Sequence, residues 1–159
     1  MYSTFSSIVI RALCLLIITG NVSITRCSSV SNSNLELHGN KCINSILDQT
    51  YYNWEAIFID DNSDDNSYTI VENYSKTDTR IKVYKNKQSG IIEALKTAYK
   101  HSSGSYITRM DSDDLMTPIR LETMVKSLEK YGKKHLAVGQ VKYFRADGLS
   151  DGFARYESW

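Results

Sequence analysis

From residue 40 onward, apolar positions along the chain alternate between two periods. Cys42, Ile43, Ile46 and Leu47 recur at helical spacing behind Asn40, a suitable cap, and predict a short helix to about Gln49. Thr50 to Trp54 reads as a connection, and Glu55 to Ile59 as a strand covered on both faces. After the polar loop Asp60 to Ser67, the residues Tyr68, Ile70, Val71 and Tyr74 predict a helix capped by Asp64 or Asp65. A short strand, Ile81 to Tyr84, leads through the polar loop Lys85 to Gly90 into a helix with the apolar face Ile91, Ala94, Leu95, Ala98 and Tyr99. Gly104 closes that unit. Tyr106 to Met110 suits a half-buried strand, and Pro118 opens a helix carrying Leu121, Met124, Val125 and Leu128. Gly132 stops it, Leu136 to Phe144 is a last strand candidate, and Gly148 to Trp159 reads as a loop. Alternating strands and helices predict a parallel or mixed α/β sheet.

The first forty residues break the pattern. Ile8 to Ile10 and Ala12 to Gly20 form an apolar tract interrupted by Arg11, and a Ser/Asn-rich stretch follows from Ser28 to Asn34. The uninterrupted part is shorter than the roughly twenty residues a bilayer helix needs. Residues 1–27 fit either a signal peptide or an atypical leader, and residues 28–39 a polar linker. Cys42 reads as a small buried hydrophobe, with pairing to Cys27 the alternative.

At 159 residues and 42% hydrophobic, the chain buries one core. Nineteen basic against eighteen acidic residues, net charge +1, leave no electrostatic footprint for nucleic acid or an anionic membrane as the main partner.

Chemistry enters at the strand ends. The run Tyr106 to Met110 ends in Asp111, Asp113 and Asp114, acids that repel one another unless a cation or solvent compensates. On an extended backbone Asp111 and Asp113 point the same way, and two hard oxygen donors suit Mg2+ or Mn2+. The strand before Asp60 and Asp61 repeats the arrangement, and parallel strands deliver both acidic runs to the carboxyl edge where ligands bind in open α/β sheets. The competing reading of each run is a solvated turn or a helix cap. Asp61, Ser63, Asp65 and Glu72 also match positions of a calcium-hand loop, although Asn66 stands where glycine is wanted.

These motifs in series resemble glycosyltransferase family 2, whose members have the GT-A (Rossmann-like) fold. The matching pieces are Ser45-Ile46-Leu47-Asp48-Gln49-Thr50-Tyr51, Trp54-Glu55, Asp60-Asp61-Asn62-Ser63, Asp78-Thr79-Arg80-Ile81, Gly104-Ser105-Tyr106-Ile107, and Met110-Asp111-Ser112-Asp113-Asp114 with Pro118 and Arg120-Leu121. The resemblance implies that residues 40–159 form the nucleotide-sugar half of a GT-A domain, truncated at its C-terminus. It implies metal-dependent transfer, with inversion, of a sugar from a nucleotide-diphosphate donor, most often a UDP-sugar, to a glycan, lipid or polysaccharide acceptor. Asp60, Asp61 and Asp111 become donor-binding residues, with Asp61 on the base, while Asp113 and Asp111 hold Mn2+ or Mg2+.

Lys85, Lys87 and Lys96 are candidate phosphate neighbours, with solvated surface lysines as the alternative. The family's first strand is not evident in residues 28–39, and residues 7–10 could supply it only across a long insertion. The catalytic base is expected beyond Trp159, so the alternative function is a non-catalytic nucleotide-sugar-binding remnant. By resemblance the chain works in the cytoplasm or on the cytoplasmic face of a membrane, and in the secretory pathway if the leader is a signal peptide.

Overall fold

The computed structural model describes residues 11–13, 22–29, 35–111, 114–132, 134–140 and 142. They form strands β1 (Arg11–Leu13), β2 (Val22–Ser29), β3 (Trp54–Asp60), β4 (Ile81–Lys85) and β5 (Tyr106–Arg109), and helices α1 (Leu35–Leu47), α2 (Ser67–Thr77), α3 (Ile91–His101) and α4 (Arg120–Tyr131). The chain divides into two units, one ending at Glu122 and one beginning at Thr123.

In the first unit one sheet carries the architecture. β2 pairs in parallel with β3 along Val22 to Ser28, so that whole edge of β2 is taken. Its other edge is shared by parallel β5, opposite Val22 to Thr25, and antiparallel β1, opposite Cys27 to Ser29. β4 adds in parallel to the far side of β3. The chain therefore runs β2, β3, β4 in one direction, then crosses back through α3 to set β5 on the opposite side of β2. That reversal creates a switch point at the carboxyl end of β2, where an open α/β sheet leaves room for a ligand.

All seven residues of β3 are buried, which a strand achieves only with a neighbour on each edge and a helix against its faces. α2 lies against β3 and β4, and α3 against β3 and β2. Ala56, Ile57, Phe58 and Ile59 form the centre of the core with Ile43 and Ile46 of α1. Cys42 is fully buried there, as the hydrophobic reading expected.

A strand the sequence did not suggest, Val22–Ser29, lies inside the stretch read as a leader and the start of its linker. α1 likewise starts at Leu35, five residues before the expected cap, and carries Gly39 within it. In the second unit Leu136 and Val138 are exposed in irregular backbone, so 136–140 is not the expected strand, and Lys142 is likewise outside any strand; residues 141, 143 and 144, and the loop Gly148 to Trp159, lie outside the described residues. Among the described residues no helix is long and apolar enough to cross a membrane.

Candidate functional site

β3 delivers Asp60 and Asp61 to the carboxyl edge. Asp60 is 5% exposed; its carbonyl accepts the Asn86 N–H at 2.7 Å, and its Oδ1 accepts the Ser63 N–H at 3.4 Å, closing a local turn. Asn62 adopts φ 59°, a left-handed conformation that asparagine tolerates, and its Nδ2 donates to Ser89 Oγ at 2.8 Å. The loop after β3 is thereby laced to the loop after β4.

Asp61 is the knot in that lacing. It is 2% exposed, and the Gly90 N–H lies 3.0 Å from its Oδ1 and 2.9 Å from its Oδ2. Asn86 Nδ2 donates to Oδ1 at 2.9 Å, and Thr97 Oγ1 donates to Asn86 Oδ1 at 3.4 Å. Gly90 directly precedes α3 and has φ 127°, where a side chain would be strained. Its N–H and the positive end of the helix dipole both favour a carboxylate here. A carboxylate has about four lone-pair positions. Oδ2 takes only a share of the Gly90 N–H and retains capacity for one further donor.

Across β2 stands the end of β5. Thr25 pairs with both Ile57 and Arg109, so Asp60 and Asp111 lie three and two residues beyond the same level of the sheet. Two strand spacings separate β3 from β5, about 10 Å. Met110 is buried at 2% exposure, whereas the Asp111 side chain is half exposed. Arg109 pairs with Asp111 Oδ1 at 2.8 Å, and Oδ2 accepts no hydrogen bond among the described residues.

The Asp114 N–H donates to the Asp111 carbonyl at 3.2 Å, and the Asp111 N–H lies 3.4 Å from Asp114 Oδ2. The ladder stops at Arg109, and the bond from the Asp114 N–H closes a turn on the Asp111 carbonyl. Asp113 itself lies outside the described residues.

The other candidates are placed elsewhere. Lys96 pairs with Glu93 at 2.7 Å, and Lys85 Nζ lies 4.8 Å from the centre of the Tyr68 ring. Lys87 lines a cavity of about 500 Å³ with Tyr84, Asn86, Lys100 and His101. The calcium-hand residues are drawn apart. Asp65 Oδ1 accepts the Ser67 N–H at 2.8 Å at the start of α2, Glu72 pairs with Lys76 at 2.9 Å, and Asp61 faces Gly90. No group of three His, Cys, Asp or Glu that could hold a metal gathers among the described residues.

Sequence reasoning gave Asn86 and Gly90 no role, yet they fix the orientation of Asp61. A glycine opening a helix after a polar loop was the available signal.

The profile of glycosyl transferase family 2 matches residues 40–153. Glycosyltransferase GlyA of Streptococcus pneumoniae is 35% identical over 111 residues, 70% of this chain and 16% of that protein. Staphylococcus aureus TarS, solved with UDP, superposes with a TM-score of 0.53 at 20% identity, covering 69% of this chain and 36% of TarS. The mannosyltransferase PcManGT of Pyrobaculum calidifontis, solved with GDP-Man and Mn2+, gives 0.51 at 21% identity over 64% of this chain and 30% of that one. The fold is the GT-A fold of these structures, and the chain spans about a sixth to a third of the length of these three proteins. On the profile match over residues 40–153 and this shared fold, the chain belongs to glycosyl transferase family 2, whose members transfer sugar from nucleotide sugars.

Proposed function

We propose that the chain binds a UDP-sugar across the carboxyl ends of β3, β2 and β5 and serves transfer of the sugar, with inversion, to an acceptor hydroxyl on a glycan, lipid or polysaccharide. The observation that carries this is the placement of Asp60 and Asp61 on one side of β2 and Asp111 on the other, at the point where strand order reverses. Asp61, held by Gly90 and Asn86, offers Oδ2 to the single imide N–H of uracil. Asp60 shapes the loop that carries Asp61. TarS with UDP supports a uridine donor by relation, and PcManGT with GDP-Man makes the base the point to test.

Asp111 and Asp113 would hold Mg2+ or Mn2+. Asp111 fits that role, because its carboxylate is half exposed at the open edge with one oxygen unengaged among the described residues. Such cations take one or two protein carboxylates and fill the remaining positions with phosphate oxygens and water. When bound, the cation offsets the charge growing on the departing diphosphate. The hydroxyl attacks the anomeric carbon from the face opposite the leaving group, and a carboxylate must take its proton. No described residue is assigned to that base.

A second reading leaves out the transfer step, since no described residue is assigned as its base. In it the chain holds the nucleotide sugar as a donor-binding module without transfer. Ligand-observed NMR with UDP and GDP competing for the chain in Mg2+ tests the donor: UDP should win, and lose its advantage in Asp61→Ala. Equal or stronger GDP binding contradicts the uridine assignment. Release of UDP from a panel of UDP-sugars separates the enzyme from the module.

A further inference from the structure

We propose that Ser45 and Gln49, on and just after α1, are positioning residues for the turn that carries Asp111, and thereby set the affinity of the site for a divalent cation. The inference rests on the donor-site reading above. The described residues between Asp111 and Arg120 lie outside the sheet, so their buried backbone groups need other partners. Much of that support comes from the end of α1. Gln49 is 1% exposed, and every polar group of its amide is engaged: Nε2 donates to the Ser45 carbonyl at 2.9 Å and to the Thr117 carbonyl at 2.8 Å, while Oε1 accepts the Leu121 N–H at 3.1 Å. Ser45 Oγ donates to the Cys42 carbonyl at 2.7 Å and accepts the Met116 N–H at 3.1 Å. The Thr50 N–H reaches the Pro118 carbonyl at 2.9 Å.

The backbone at residues 116, 117, 118 and 121 is thus held by one helix end. The acidic turn lies between two buried side chains, Met110 at 2% exposure and Met116 at 5%. Only five residues separate them, so a shift of Met116 is passed to Asp111 with little slack. A buried amide adds little net stability, since water satisfies the same groups in the unfolded chain, but it admits one geometry. Groups that hold metal-binding residues in place typically change metal affinity about 10- to 100-fold when removed.

The test compares the full chain with Gln49→Met, which keeps volume but removes all three bonds, and with Ser45→Ala and Ser45→Thr. Two readouts are needed: amide hydrogen exchange of residues 111–121 against that of β3, and the Mn2+ affinity of the chain saturated with UDP. The expected result for Gln49→Met and Ser45→Ala is faster exchange in 111–121 with β3 protection retained, and Mn2+ affinity lower by about tenfold or more. Ser45→Thr, which keeps the hydroxyl, should restore both.

Faster exchange with unchanged Mn2+ affinity overturns the positioning role and leaves the donor site standing. A wild-type chain that binds no Mn2+ with UDP overturns the donor site and the positioning role with it. If Gln49→Met also loses β3 protection it is a folding variant, and the Ser45 pair then decides the matter.

Discussion

Replacing Asp61 by asparagine should expose how much of the carboxyl edge is held together by one side chain. Asp61 is 2% exposed and receives the Gly90 N–H on both oxygens and Asn86 Nδ2 on Oδ1. An asparagine oxygen at the Oδ1 position can still accept from both Asn86 and Gly90, but the negative charge is gone and the new NH2 group lies at the Oδ2 position, donor against donor with the Gly90 N–H. Hydrogen bonds to a charged partner contribute about 1.5–3 kcal/mol against about 0.5–1.5 for neutral ones, so weakening two of them and adding one donor–donor contact sets the expected loss at about 3 kcal/mol. In a chain of 159 residues that corresponds to a Tm lower by about 6–12 °C. Thermal unfolding followed by far-UV circular dichroism measures it directly. A folded variant whose Tm falls by less than about 2 °C would refute the account of Asp61 as the link between the β3 and β4 loops.

Other consequences contrast with this one. Asp111→Asn removes an exposed pair with Arg109, so stability should change by no more than about 1 kcal/mol in urea titration while Mn2+-dependent nucleotide binding is lost. Gly90→Ala should destabilise by about 1–3 kcal/mol, because φ 127° is strained for any side chain; an unchanged urea midpoint would contradict the backbone assignment. Arg80 grips the Asp78 carboxylate, with Nη2 at 2.6 Å, and its hydrogen bonds hold the Asp78 pKa below the ordinary 3.8. A lowered folded pKa means this contribution is fully present above pH 3.8 and is lost as pH falls through the folded value. Asp78→Asn should therefore flatten the acid limb of a stability-against-pH curve below about pH 4, and an unaltered limb would contradict it.

How much of this was legible depends on the element. β3, β4 and α3 stand within a residue or two of where apolar runs and Gly90 put them, and β3, buried along its whole length, shows most plainly how an apolar run fixes its own place. β2 was hidden. Val22–Ser29 is mostly polar, and it is a strand because β3 and β5 pair with it on both sides, a tertiary cause that no local pattern displays. The apolar tract before it invited a targeting reading instead. α1 runs through Gly39 for the same kind of reason, with packing overriding propensity.

At the site, the acids and their edge were readable from strand ends followed by Asp. The partners of Asp61 were not, since Asn86 and Gly90 are 25 and 29 residues away and meet it only once β3 and β4 pair. Nor could sequence show that the chain turns at Asp111, which depends on a backbone bond closing from Asp114.

The most direct measurement is calorimetric titration of UDP into the full chain, with Mn2+ and with the metal chelated, beside Asp111→Ala. The account predicts saturable binding that weakens at least tenfold, a loss of about 1.4 kcal/mol, when Mn2+ is chelated or Asp111 is replaced. A folded chain that takes up no UDP, or binds it equally well without Mn2+ and without the Asp111 carboxylate, would contradict it.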